Sequence, residues 1–106
     1  MTELKEEIEM NLRPEDIGEK EGDEKEFILL DVKPTMTKFG KRYVLHLKDE
    51  ENFRWRYWVT EKEMADIYKK LRIEGTYGRK VKAILYQKIN IITKQPQLKI
   101  RLEVIQ

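Results

Sequence analysis

The chain has 106 residues, with 22 basic and 20 acidic side chains, one histidine and no cysteine. This length suits one domain with one core. Without cysteine, the chain has no disulfide, no thiolate metal site and no cysteine nucleophile. A single histidine argues against a zinc site or a histidine-based triad. No apolar run is long enough to span a membrane and the acidic start has no signal-peptide core, so we expect a cytoplasmic protein without a cofactor.

Charge is divided unevenly along the chain. Residues 1–26 hold eleven acidic and four basic side chains, a net charge of −7, whereas residues 27–106 carry a net charge of +9. A basic body that follows an acidic segment predicts an anionic partner for the body. A well-solvated surface is the alternative explanation of the same composition.

The chain begins with an acidic arm. Leu4, Ile8 and Leu12 recur at helical spacing, and Pro14 ends such a helix or starts a turn. Residues 13–25 are polar and interrupted by glycine, which is typical of a linker or a loosely held arm. The arm therefore has room for one short helix.

The composition changes at Glu26, so we predict an arm over residues 1–25 and a domain over residues 26–106. The domain opens with three segments rich in β-formers, the first of which is expected to stop at Pro34. In chain order the three predicted strands are FILLDVKP, RYVLHLK and FRWRYWVT. The acidic turn DEEN before the third strand is expected to be solvated, Asp49, Glu50 and Glu51 included.

A helix is predicted next, in EKEMADIYKKLRIEG. Thr60 and Glu63 have the spacing of a capping box, and Gly75 is a suitable stop. Its apolar residues lie at helical spacing and are Met64, Ile67, Tyr68 and Leu71.

Two strands complete the chain. The segment RKVKAILYQKINIIT is long for one strand and is expected to bend or bulge. The turn KQPQ then leads into LKIRLEVI, whose alternation is typical of a half-buried strand. The residues predicted to face the core are Leu98, Ile100, Leu102 and Val104.

Three strands, a helix and two strands, in a body of roughly eighty residues, is the element order of the OB-fold. We therefore predict an all-β domain with one small helix, in the form of a five-stranded Greek-key OB-fold barrel. The chain resembles the OB-fold single-stranded-DNA-binding proteins, both the archaeal proteins and replication protein A modules, over about three quarters of its length. The segments that carry this resemblance are ILLDV, TKFGKRYVLHLKDEE, FRWRYWVTEKE and the helix. The acidic arm and the lack of a cysteine-based zinc insertion depart from the pattern of some members.

The segment FRWRYWV is the strongest candidate for a binding surface. In a strand, neighbouring side chains point to opposite faces. The apolar set predicted to face the core is Phe53, Trp55, Tyr57 and Val59, and the opposite set is Arg54, Arg56, Trp58 and Thr60. Guanidinium groups neutralise phosphates, and an exposed indole stacks on a base with about 1–3 kcal/mol. The alternatives are that Trp58 is buried under the helix or the arm, and that both arginines form an ordinary solvated edge.

Other residues extend the predicted surface. Arg42, Val44 and His46 share the outer face of the second strand, where His46 is expected to be an ordinary hydrogen-bonded histidine. The loop around Gly40 has the composition of a phosphate- and base-contacting loop, although Phe39 could instead plug a barrel end. The complete predicted nucleic-acid site is Lys38, Phe39, Lys41, Arg42, Arg54, Arg56, Trp58, Lys82, Tyr86 and Lys88. Of these, Tyr86 either stacks or packs.

These observations predict a protein that binds single-stranded DNA, or RNA, without strict sequence preference. No phosphate-binding glycine motif and no nucleophile–base pair is present, so we do not expect an enzyme. Two alternatives stay open: an OB-type accessory subunit that binds replication or repair proteins, and an RNA- or tRNA-binding domain. The acidic arm is expected to mimic nucleic acid on the basic surface or to recruit a partner.

Overall fold

A computed structural model of the chain describes residues 9–71 and 78–105. This part is mostly β-structure, with one helix of three turns and one very short helix. The elements in chain order are β1 (Glu9–Asn11), α1 (Pro14–Ile17), β2 (Glu24–Thr37), β3 (Gly40–Lys48), β4 (Arg54–Thr60), α2 (Glu61–Leu71), β5 (Arg79–Ile89) and β6 (Pro96–Val104). Neither helix of the described ranges is long and apolar enough to cross a bilayer.

The strands form one curled half-barrel sheet in the order β1-β4-β3-β2-β5-β6. Only β1 pairs in parallel, with β4, and the other neighbours are antiparallel. The long strand β2 pairs with β3 through residues 28–37 and with β5 through residues 24–29, so the sheet bends around it. A bulge between Leu29 and Asp31 increases this bend. The described sheet therefore has six strands, one more than predicted, because β1 precedes the five expected ones.

The N-terminal strand β1 replaces the helix predicted for this region, which is wrong for residues 9–11. These residues pair with 54–56 of β4, and Leu12 is buried in the core. A short isolated helix gains little in water, whereas the open edge of β4 offers backbone partners to an extended segment. Leu4 and Ile8 lie outside the described residues.

Strand β2 continues through Pro34, where the sequence predicted its end. Beyond Leu29, β2 pairs only with β3 among the described strands. Proline is tolerated where its missing N–H would face a side without a partner strand. The strand can therefore extend to the two-residue hairpin that joins Thr37 to Gly40.

The core lies inside the curl, where β2 to β6 and α2 contribute apolar side chains. The predicted inward faces of β3 and β6 are confirmed: Leu45 and Leu47 are fully buried, and Ile100 is 6% exposed. On β4, Val59 is buried and Trp55 and Tyr57 pack against the core. Phe53 was expected there as well, but it precedes β4 and is exposed. The innermost side chains are Phe27, Leu29, Leu45, Leu47, Met64, Val81 and Leu85.

Helix α2 begins as its capping box predicted. The Glu63 backbone N–H donates to Thr60 Oγ1 at 3.2 Å, and the Thr60 N–H donates to Glu63 Oε1 at 2.9 Å. Met64 and Ile67 are buried against the sheet, and Tyr68 meets Tyr43 edge-on, with the ring centroids 5.9 Å apart. The predicted stop at Gly75 lies outside the described residues.

Candidate nucleic-acid interface

The candidate site is built by cross-strand register on β3 and β4. Directly opposed residues in a sheet project to the same face, about 5 Å apart. On the side away from the core, the register aligns four rows across the strands. The rows are Thr60, Arg42 and Thr35; Trp58, Val44 and Lys33; Asn11, Arg56, His46 and Asp31; and Glu9, Arg54, Lys48 and Ile28. We call this surface the β3–β4 outer face.

Trp58 is at the centre of the β3–β4 outer face. It remains 45% exposed, so neither α2 nor the described N-terminal residues 9–17 seal it. Val44, directly opposite, is only 6% exposed although it points away from the core. The indole and the valine therefore make an apolar island, with the Lys33 position beside it in the same row. An exposed indole held on a sheet in this way is a suitable platform for a flat ring.

Cations surround this island. Arg54 and Arg56 are half-buried rather than sealed, and the buried Nε of Arg56 makes no hydrogen bond within the described chain. The basic residues of the face are Lys33, Arg42, Lys48, Arg54 and Arg56, and its acidic residues are Glu9 and Asp31. The surface thus keeps an excess of positive charge that attracts phosphates.

Two of these cations, Lys33 and Lys48, were not predicted. Lys48 could have been found by continuing the alternation Arg42, Val44, His46 for one more step. Lys33 could not have been found in this way, because the bulge between Leu29 and Asp31 shifts the in-and-out alternation of the β2 side chains by one residue.

Glu9 brings a carboxylate onto the β3–β4 outer face. Its Oε2 lies 2.7 Å from His46 Nδ1, and its backbone position pairs with Arg54. His46 is therefore a hydrogen-bonded surface histidine, as expected. The other acid of the face, Asp31, accepts a hydrogen bond from the Val32 N–H at 2.8 Å and so is used in its own strand.

The loop between β2 and β3 extends the cationic surface. Thr37 Oγ1 donates to the Gly40 carbonyl and accepts from the Phe39 N–H, which closes a tight turn with Gly40 at a φ of 110°. Phe39 is 75% exposed and does not plug the barrel end. Lys38 Nζ lies 5.2 Å from the Phe39 ring. Lys41 projects to the opposite side of β3 from Arg42, where its Nζ lies 5.3 Å from the centroid of the Tyr43 ring, and the interaction with Tyr43 raises the pKa of the lysine. The structure therefore does not bring Lys41 onto the β3–β4 outer face.

The predicted contacts on β5 lie elsewhere. Lys82, Tyr86 and Lys88 share the outward face of that strand, as their spacing predicted, but Lys82 pairs with Glu24 at 3.1 Å. Lys82 lies opposite Glu26 of β2, whereas the row that contains Trp58 and Val44 reaches β2 at Lys33, seven residues further along the strand. The structure therefore does not bring this group into the rows around Trp58, and Tyr86 instead borders a groove beside Tyr57.

Asp49 was expected to be a solvated turn residue, and this is wrong: it is 4% exposed. Burial by itself raises the pKa of its carboxyl group, but hydrogen bonds from Trp55 Nε1 and from the backbone N–H groups of Phe53 and Glu51 outweigh burial and lower the pKa. Lys25 Nζ lies 3.8 Å away. Asp49 thereby fixes the turn that leads into β4 and orients Trp55.

Neither a metal-binding cluster nor a known relative guides the assignment of function. Among residues 9–71 and 78–105, no group of three or more histidine, aspartate or glutamate side chains is placed to hold a metal ion. The chain matches no protein-family model, no curated protein and no solved structure. The chemistry of the β3–β4 outer face is therefore the guide to function.

Proposed function

We propose that this protein binds single-stranded nucleic acid, single-stranded DNA in the first place, through the β3–β4 outer face and without catalysis. The observation that carries the proposal is the half-exposed Trp58 set among rows of lysine and arginine. An aromatic ring stacks on any base, and the surrounding cations hold the phosphates. Binding of this kind depends on strand accessibility more than on sequence.

The strand order supports an OB-type barrel as the scaffold. In a Greek key, three consecutive antiparallel strands are followed by a fourth that returns beside the first. Strands β2, β3 and β4 run consecutively, and β5 returns to the free side of β2. In OB-folds the outward face of the second and third strands, which correspond here to β3 and β4, carries the oligonucleotide.

The proposed contacts divide by chemistry. Trp58 stacks on a base at the centre of the face, and Phe39 supplies a second exposed ring in the hairpin loop. The residues proposed to hold the phosphodiester backbone are Lys33, Lys38, Arg42, Lys48, Arg54 and Arg56. The strand β5 residues Lys82, Tyr86 and Lys88 are then contacts for a longer strand that continues around the sheet.

Tryptophan fluorescence during titration with oligothymidylate tests the proposal. Stacking of a base on Trp58 is expected to quench the tryptophan emission. The affinity is expected to fall as the salt concentration rises, because the lysine and arginine side chains release counterions from the phosphates when they bind the strand. With about three to five phosphates neutralised, the plot of log K against log salt should have a slope of about −2 to −3.5. Trp58→Phe distinguishes the signal from that of Trp55. Absence of any salt-dependent binding would overturn the proposal.

Competition between DNA and RNA oligonucleotides of the same sequence identifies the preferred strand. The β3–β4 outer face offers stacking and cationic contacts, which both polymers satisfy. We expect a DNA preference of less than about tenfold, since no contact specific for a 2′-hydroxyl is evident on this face. A strong preference for RNA would assign the domain to RNA handling instead.

Neutralising Glu9 is expected to strengthen nucleic-acid binding. Its carboxylate lies on the binding face beside His46 and repels phosphate, so Glu9→Gln should raise the affinity by about two- to fivefold at low salt. Glu15→Gln, an exposed acid on α1, is the matched control with the same change in net charge. Equal affinities for the two variants would show that Glu9 has no local role. Deletion of residues 1–25 is a poor substitute because it also removes the buried Leu12.

A further inference from the structure

The half-barrel is open along one side, between β4 and β6. The two strands run parallel to each other, since each is parallel to β2 in the antiparallel order of the sheet. They do not pair within the described residues, and the Tyr57 hydroxyl spans the gap by donating to the Ile100 carbonyl at 3.1 Å. We call this gap the β4–β6 seam. Tyr57 divides it into two halves.

In the first half, the N-terminal segment covers the edge of β4 and leaves a groove of about 790 Å³ between residues 12–19 and β6. Strand β1 pairs with 54–56 of β4, and the Leu12 N–H donates to the Arg56 carbonyl at 2.8 Å. Leu12 is buried in the core and Ile17 packs against it. The edge of β4 therefore already accepts an added parallel strand over half of its length.

The second half of the seam is a groove of about 470 Å³ between the end of β4, helix α2 and β6. Its volume is in the range of peptide- and ligand-binding clefts. Its apolar lining residues are Val59, Ile67, Ile100, Leu102 and Val104. An apolar floor between two strand edges suits an extended segment whose alternate side chains point inward.

Backbone groups also point into this half. In an antiparallel ladder, hydrogen-bonded and non-hydrogen-bonded pairs alternate. The Ile105 N–H donates to the Lys80 carbonyl, so by alternation Leu102 and Val104 direct their N–H and C=O groups away from β5 and into the seam. The Asp49 N–H donates to the Phe53 carbonyl, and the same alternation directs Trp58 backbone groups into the seam. Within the described chain these groups have no backbone partner across the gap.

The rim of the groove is acidic. Glu63 and Asp66 of α2 and Glu103 of β6 border it, and Arg101 is the one basic side chain among the described residues that line it. Arg101 Nε lies 3.4 Å from Glu103 Oε2, so the positive charge of Arg101 is paired with Glu103. Arg101 therefore does not neutralise the carboxylates of Glu63 and Asp66. Burial, the charge of Glu63 and the nearby Tyr86 raise the pKa of Tyr57 to about 12. The electrostatic environment of the groove therefore favours cations.

We propose that the second half of the β4–β6 seam, where the edge of β4 is uncovered, binds an extended segment of a partner protein, with alternating apolar and basic side chains, as an added β-strand. The apolar side chains face Val59 and Leu102, and the basic ones face Glu63 and Asp66. The backbone of the segment pairs with the free edge groups of β4 and β6. This site uses the backbone edge of β4, Trp58 included, and not the side chains of the β3–β4 outer face, and it does not depend on nucleic-acid binding.

Two labelled peptides of about six residues, one alternating valine with lysine and one alternating valine with glutamate, test this site by fluorescence anisotropy. Only the lysine peptide should bind, and Glu63→Gln with Asp66→Asn should weaken it by about five- to tenfold. Glu50→Gln with Glu51→Gln, an equal change of charge in the exposed β3–β4 turn, should leave it unchanged. Failure of the lysine peptide to bind, or equal weakening by both variants, overturns the proposal.

Amide hydrogen exchange gives a readout that nonspecific charge attraction would not produce. Strand addition should slow exchange at Trp58, Leu102 and Val104, whose N–H groups face the seam, and leave Arg101 and Glu103 unchanged because β5 already pairs with them. Protection elsewhere would overturn strand addition. A dimer in size-exclusion chromatography without peptide, with the same three amides protected, would mean that a second copy fills the seam and would also overturn the proposal.

Discussion

Replacing Asp49 with alanine is expected to lower the free energy of unfolding by about 2–4 kcal/mol, a large effect for a single polar substitution. The carboxylate accepts hydrogen bonds from Trp55 Nε1 and from the N–H groups of Phe53 and Glu51 in a buried position. Without it, these donors lose their acceptor. Urea unfolding followed by fluorescence measures the change, with Glu50→Ala as the exposed neighbour that should stay within about 0.5 kcal/mol of wild type.

The same carboxylate makes stability depend on pH. The pKa of Asp49 in the folded protein lies below its unfolded value of about 3.9. Its contribution is therefore complete above that value and is lost as the pH falls through the lower folded pKa. The difference in unfolding free energy between wild type and Asp49→Asn should be large at about pH 7 and shrink as the pH falls below the unfolded pKa. A difference that is constant over this range would contradict the assignment.

Replacing Trp58 with alanine is expected to weaken binding of single-stranded oligothymidylate by about 5- to 150-fold, the equivalent of one stacked base at about 1–3 kcal/mol. Trp58 is the exposed ring at the centre of the β3–β4 outer face, and the cations around it remain in the variant. The slope of affinity against salt should therefore be unchanged, because no phosphate contact is removed. Fluorescence anisotropy of a labelled strand measures both quantities.

Phe53→Ala is the matched control for that experiment. Phe53 is more exposed than Trp58 and is adjacent to the strand that carries Trp58, but it precedes β4 and lies outside the rows of the face. Its loss should change the affinity by less than about twofold. If both variants bind as wild type does, the ligand contacts another surface. If both lose affinity equally, the effect is a general one on the fold.

Local chemistry made much of the fold predictable from the sequence. Period-two alternation located the inward faces of β3 and β6, and the Thr60–Glu63 capping box located the start of α2. Alternation also separated Trp58 from the inward Trp55 and Tyr57. Each of these signals depends on residues within a few positions of each other along the chain, which is why one sequence was enough.

The features that could not be predicted depend on distant partners. Strand β1 forms because it pairs with 54–56 of β4, and nothing in its own sequence encodes that edge. Asp49 is buried because Trp55 and the following turn surround it. Lys33 reaches the outer face only through the bulge in β2, and the separation of Lys82 from Trp58 follows from the curl of the sheet. The residues of the site are brought together by the pairing register between strands, and the sequence pattern within a single strand does not reveal that register.

Strand β1 also has a consequence for the solution behaviour of the chain. An uncovered strand edge is a template for pairing between molecules, and β1 covers the half of the β4 edge at residues 54–56. A proteolytic cut ahead of α1 would strip this cover and leave a row of unsatisfied amides and carbonyls next to apolar side chains. Clipped molecules would then stack edge to edge, and precipitation during storage would be the first sign of lost N-terminal residues.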